Sequence, residues 1–255
     1  TRSLRPGKVK PFPRFALNPH ICTLNIKPMS LLVVGTVAFD AIETPFGKTD
    51  KIVGGAATYI SLSASYFTKK INLVSVVGDD FPQDDIRRFH ARHINTDGLQ
   101  IRKGEKSFFW SGKYHLDMNT RDTLATELNV VASFDPIIPE GFQKTDYLML
   151  GNLMPSIQRS VLERISKRPR LVVMDTMNFW MTSAMPELEE VLKLVDVLMV
   201  NDSEARELSG QYSLVKAAKE ILKMGPKYLI IKKGEHGALL FHDDKVFVAP
   251  ALPLE

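Results

Sequence analysis

Residues 197–208 read Val-Leu-Met-Val-Asn-Asp-Ser-Glu-Ala-Arg-Glu-Leu. A four-residue apolar run ends in a polar rim, and a helical stretch starts at Ser203. An unbroken apolar run this short fits a strand buried on both faces. The same unit recurs in both directions along the chain. Residues 31–34 end at Gly35, 73–77 at Gly78-Asp79-Asp80, 147–150 at Gly151-Asn152 and 171–174 at Asp175. Residues 228–231 end at Lys232-Lys233-Gly234. Helical stretches lie between: 55–67, with Ala57, Ile60, Ala64 and Phe67 on one stripe; a segment opened by Pro82; 157–165; 187–194; and 214–222. Residues 238–241 and 246–248 add two more strands. Strand–helix alternation of this kind predicts an α/β protein, a doubly wound, mostly parallel sheet flanked by helices.

Bulk properties narrow the class. The chain has 255 residues, 44% hydrophobic and 24% charged, ordinary values for a globular protein. No apolar run approaches the roughly 20 residues of a membrane span, so no membrane partner is expected. The single cysteine, Cys22, excludes an internal disulfide framework, and a cytoplasmic location is the expectation. The net charge of +4 suggests nucleic acid at first sight. Six of the 33 basic residues, however, lie in residues 1–28, which contain no acid. The remaining 27 face 29 acidic residues, so the body gives no electrostatic footprint for nucleic acid. Residues 1–28 also hold five prolines and read as a disordered or non-native arm, with a single domain over 29–255.

In open α/β sheets ligands bind beyond the carboxyl ends of the strands. The positions just past the apolar runs carry glycine, carboxylate, amide or lysine: Gly35, Asp40, Asp79, Asn152, Asp175, Asn178, Asn201, Glu204 and Lys232. Such groups on one rim suit a polyol or a phosphate, although turns favour glycine and aspartate in any case. Ile52-Val53-Gly54-Gly55-Ala56-Ala57-Thr58 leads into a helix, and two glycines there leave backbone N–H groups free to face a ligand. An ordinary glycine turn packed close to its helix reads equally well. The segment lacks the Gly-Lys-Ser/Thr of a Walker loop. His90 and His93 have a metal-like spacing without supporting ligands and read as a surface face.

Five motifs in register, Gly35 to Asp40, Gly54-Gly55-Ala56-Ala57, Val77-Gly78-Asp79-Asp80, Asn201-Asp202-Ser203-Glu204 and Lys232-Lys233-Gly234-Glu235-His236-Gly237, resemble the PfkB, or ribokinase-like, carbohydrate kinases over nearly everything from Met29 onward. The resemblance implies a ribokinase-like sheet with a small β lid, its strands near 42–52 and 100–116. It implies ATP and Mg²⁺ as cofactors and a small-molecule sugar as acceptor. Asp40, Gly54 and Gly55 match the family's sugar-binding positions, and Tyr59, Trp110, Asp175 and Asn178 join them as substrate-binding candidates. Asn201 and Glu204 match the Asn-x-x-Glu motif associated with ATP phosphates and Mg²⁺, Glu204 acting through water. Lys232, Gly234 and Gly237 match the turn that meets the nucleotide. Lid strands in the family often pair between subunits, so a homodimer is an expectation.

Two departures matter. Ribokinases place lysine and asparagine where this chain has Ala56 and Tyr59, so ribose is not the expected acceptor. The family's catalytic aspartate, on its Gly-Ala-Gly-Asp segment, falls beyond Glu255 on the resemblance. The 255 residues alone are therefore expected to lack the general base and to turn over poorly, a loss of about 10²–10⁴-fold. The expected function is transfer of the γ-phosphoryl group of ATP to a sugar hydroxyl. A purine nucleoside kinase of the same fold and a non-catalytic sugar-binding homologue are the alternatives.

Overall fold

A computed structural model of the chain describes residues 29–252. The proline-rich arm expected over 1–28 lies outside the described residues. In chain order the first half comprises β1 (Leu31–Val34), β2 (Ala38–Thr44), β3 (Gly47–Gly54), α1 (Ala56–Ala64), β4 (Ile71–Gly78), α2 (Gln83–Ala91), β5 (Ile94–Arg102), β6 (Phe109–Tyr114) and β7 (Arg121–Glu127). The second half comprises β8 (Tyr147–Leu150), α3 (Pro155–Arg164), β9 (Leu171–Asp175), α4 (Asn178–Ser183), α5 (Met185–Leu192), β10 (Val197–Asn201), α6 (Asp202–Ser209) and α7 (Leu214–Lys223). It closes with β11 (Tyr228–Lys232), β12 (Ala238–His242) and β13 (Lys245–Ala249).

Nine strands form one sheet in the order β13-β12-β11-β10-β9-β8-β1-β4-β5. Every pair from β11 to β5 is parallel, and β12 and β13 add an antiparallel edge. Period-two alternation sends neighbouring side chains to opposite faces. Leu32 and Val34 thus join the core beneath α3, α5, α6 and α7, where Val161, Leu188, Ala205 and Ile221 are buried. Val33 joins the opposite core with Ala57 of α1 and Phe89 of α2. The chain leaves β1 in one direction through β4 and in the other through β8, which makes the β1–β8 boundary the topological switch point. There the two strand ends nearly touch. Gly151 N–H donates to the Val34 carbonyl at 2.7 Å, and a Cβ on Gly35 would stand 3.2 Å from Gly151 Cα.

A separate four-stranded sheet has the order β3-β2-β6-β7. Its central strands, β2 and β6, are parallel and set Asp40 opposite Trp110. The first expected strand region, 42–52, lies in this sheet. The second, 100–116, divides: β5 pairs along β4 and is an edge of the large sheet, whereas β6 belongs to the small one. Strand β7 escapes the sequence pattern because its residues are almost all exposed and no apolar alternation marks it. Of the expected α1 stripe, Ala57, Ile60 and Ala64 pack in or against the core and Phe67 does not. The helix ends at Ala64, its buried positions are Ala57, Thr58 and Ser61, and Phe67 is 87% exposed. Small residues face inward because Ala57 Cβ sits close over Gly35, and nothing larger fits.

Candidate active site

Asp40 lies on β2 beside the end of β3, and its carboxylate covers the α-carbon of Gly54. A Cβ built there would stand 2.0 Å from Asp40 Oδ2. Burial pushes the Asp40 carboxyl up to about 6, a shift partly offset by the Gly55 N–H that donates to it. Gly55 needs its left-handed φ of 94°, and a Cβ on it would meet the Thr36 carbonyl oxygen at 2.4 Å. The next two N–H groups of the helix are taken as well: Ala56 donates to Thr36 Oγ1 at 3.0 Å and Ala57 to Thr36 O at 2.9 Å. The expectation of free N–H groups is therefore corrected for Gly55, Ala56 and Ala57, which Asp40 and Thr36 absorb. The diglycine instead makes room for a carboxylate.

Aromatic side chains stand around Asp40. Tyr59, in the first turn of α1, is half exposed, and burial followed by the Asp40 charge and Tyr114 raises its phenol. The Trp110 indole lies across Gly112, where a Cβ would come within 2.1 Å of the ring. Its Nε1 donates to Thr123 Oγ1 at 3.4 Å, and the Arg121 guanidinium lies 5.9 Å from its ring centre. A buried carboxylate able to accept hydrogen bonds from hydroxyls, edged by aromatic faces, suits a polyol whose carbon face packs on a ring.

A second cluster forms where β9, β10 and β11 end. Register pairs Asn201 with Lys232. Lys232 Nζ reaches across the intervening strand to Asp175 Oδ1 at 3.0 Å. Asn201 and Glu204 form a capping box at the start of α6: Glu204 N–H donates to Asn201 Oδ1 at 2.8 Å, and Asn201 N–H to Glu204 Oε2 at 2.7 Å. Burial raises the Glu204 carboxyl, offset in part by the Asn201 N–H, Lys232 and Arg121, while Asp175 adds to the rise. Asp175 is raised by burial and pulled back by Lys232. Asp175, Asn201, Glu204 and Lys232 are thus one electrostatic unit. Asp175, expected with the acceptor group, stands among the residues expected at the nucleotide. Asn178, expected to act with it, is exposed at the start of α4, and no hydrogen bond joins the pair. Asn152 makes contacts there instead, accepting from Trp180 Nε1 at 2.8 Å.

Gly234 has a φ of 55°, and the side chain of Asn119 rests against it. Gly237, φ 82°, is crowded by the backbone of Ala249 and Ala251, so packing accounts for its missing side chain. Among the described residues no group of three or more His, Cys, Asp or Glu is placed to hold a metal ion. One free carboxylate oxygen on Glu204, with Asp175 near, suits a magnesium ion that arrives on nucleotide phosphates and keeps its waters. Among the described residues no helix is long and apolar enough to cross a membrane.

Two residues and one strand matter that the sequence did not flag: Thr36, Arg121 and β7. Arg121 bears on both clusters, through the ring of Trp110 and the charge of Glu204.

The profile of the pfkB family carbohydrate kinases matches residues 30–255. A cytidine kinase of Thermococcus kodakarensis is 27% identical over 229 residues, which span 89% of this chain and 81% of that protein. Among solved structures, a ribokinase of Cryptococcus neoformans var. grubii serotype A in complex with ADP superposes with a TM-score of 0.73 at 20% identity, covering 90% of this chain and 81% of the other. A Burkholderia thailandensis nucleoside kinase in complex with inosine gives 0.69 at 19% identity, covering 89% and 77%.

Proposed function

Because the chain belongs to the pfkB family of carbohydrate kinases, we propose that it transfers the γ-phosphoryl group of ATP to a hydroxyl of a sugar ring, at a site floored by Asp40 and Gly54. The observation that carries this reading is the fit of the Asp40 carboxylate into the space over Gly54. A carboxylate held there accepts hydrogen bonds from two adjacent hydroxyls and fixes the ring in one pose. The unit of Asp175, Asn201, Glu204 and Lys232 lies at the nucleotide side. Magnesium, carried on the phosphates, would be held through water by Glu204 and would neutralise charge on the transferring group. The proton acceptor for the attacking hydroxyl is assigned to no described residue. The small sheet acts as a lid, with Trp110 on its inner strand paired to Asp40.

A second reading, that the ring belongs to a nucleoside, is favoured by Tyr59, Trp110 and Tyr114 around Asp40, since aromatic faces receive a base as readily as a sugar. It is also favoured by the similarity to the Thermococcus cytidine kinase. The deciding experiment offers the intact protein labelled ATP and Mg²⁺ with a panel of pentoses, hexoses and ribonucleosides, and tracks label transfer. Phosphorylation of a free sugar supports the first reading, and of ribonucleosides alone the second. Transfer to no acceptor by a protein that binds MgATP removes both.

A further inference from the structure

The turn between β6 and β7 reaches from the small sheet to the nucleotide-side rim. Asp117 makes it rigid: its carboxylate accepts from Thr120 N–H at 2.9 Å, Thr120 Oγ1 at 2.6 Å and Asn119 N–H at 3.2 Å. At the tip the Asn119 side chain seats on Gly234, where a Cβ would stand 2.0 Å from Asn119 Oδ1. Two residues on, β7 begins with Arg121. Its guanidinium is exposed, makes no ion pair among the described residues, and lies near enough to Glu204 to favour that carboxylate's charged form. Lys232, at the same rim, is occupied by Asp175 at 3.0 Å.

Resting on the phosphoryl-transfer reading above, we propose that Arg121 is a phosphate-binding residue, carried by the small sheet to the nucleotide-side rim and set in place by the seating of Asn119 on Gly234. A guanidinium has five donors in a planar fork that matches phosphate oxygens, and one not consumed by a carboxylate is free to use them. Placement on the small sheet gives the arrangement a consequence. The strand pair that carries Trp110 beside Asp40 also carries Arg121, so one part of the small sheet bears on both clusters.

Calorimetric titration of the intact protein with MgATP and with AMP tests this. Arg121→Gln is expected to lower MgATP affinity about 10- to 100-fold, the loss of a charge-assisted contact, while AMP affinity changes less than about threefold. Arg121→Lys, which keeps the charge without the fork, should recover part of the lost affinity. Because the side chain is exposed, the melting temperature of both variants should match wild type. Unchanged MgATP affinity in Arg121→Gln, or equal losses for ATP and AMP, overturns the proposal and leaves the kinase reading standing. A wild-type protein that binds no MgATP overturns both.

Discussion

Gly54 and Asp40 share one volume: the space a side chain at 54 would fill is taken by the carboxylate of 40, with Oδ2 at 2.0 Å from the position of a Cβ. The two residues lie on adjacent antiparallel strands of the small sheet, so their contact is fixed by backbone pairing. The carboxylate is the movable partner, and an added methyl group would displace it.

Gly54→Ala should therefore fold normally and lose the acceptor. We expect KM for the acceptor to rise about 10-fold or more, the cost of one charge-assisted hydrogen bond. ATP affinity should stay within about twofold of wild type. Steady-state kinetics with each substrate varied in turn checks this, and an unchanged acceptor KM would show that the Asp40 pose is immaterial.

Burial pushes the Asp40 carboxyl up to about 6. Grip on hydroxyls requires the charged form, and kcat/KM reports the free enzyme. The acceptor kcat/KM should thus climb with pH, reach half its plateau near pH 6 and level off above pH 7. Asp40→Asn should lack this limb and sit about 10- to 100-fold lower. The stability effect has the opposite slope. Between 3.8 and about 6 the folded state holds a proton that the unfolded chain has released, so stability from this group falls as pH rises through that window. Denaturation of Asp40→Asn should show that decline removed.

Glu204 has two tasks that substitution can separate. Glu204→Gln keeps a side-chain oxygen for the Asn201 N–H, so its melting temperature should stay close to wild type. Its turnover should fall, and more Mg²⁺ should be needed for half-maximal rate. Glu204→Ala loses half the capping box too, about 1 kcal/mol, and should melt roughly 2–4 °C lower. Equal magnesium dependence in Glu204→Gln and wild type would confine the residue to capping.

Lys232→Met leaves Asp175 without its cation. The carboxyl, already raised by burial, should rise further. The destabilisation is greatest where Asp175 must stay ionised and is relieved as acid protonates it. Chemical denaturation at pH 8 and pH 5 should show the larger deficit at pH 8. A deficit that grows toward pH 5 would mean the pair does not govern this end of the sheet.

Much of the architecture is legible because buried parallel strands announce themselves. Residues 31–34, 147–150 and 197–200 are unbroken apolar runs, and the residues closing them, Gly35, Gly151 and Asn201, fall on the rim. The place of Asn201 at the end of such a strand is legible for the same reason, whereas Asp40 and Gly54 lie on β2 and β3 of the small sheet, where few side chains are buried. The pairing of Lys232 with Asp175 is not legible, because it spans 57 residues and depends on β10 lying between β9 and β11. The separation of Asn178 from Asp175 is not legible either: three residues on, it is exposed at the start of α4, and where that helix begins is set by the fold. Arg121 escapes notice because β7 carries almost no buried side chain, and only its partner β6 and the turn at Asn119 place it near the rim.

A crystal structure of the intact protein with an accepted sugar or nucleoside and a non-hydrolysable ATP analogue is the most direct measurement. We expect a ring hydroxyl pair on the Asp40 carboxylate above Gly54, and the terminal phosphate on the side of Glu204, within reach of that ring. An acceptor bound away from Asp40, or a nucleotide on a surface remote from Asn201 and Glu204, would contradict the account.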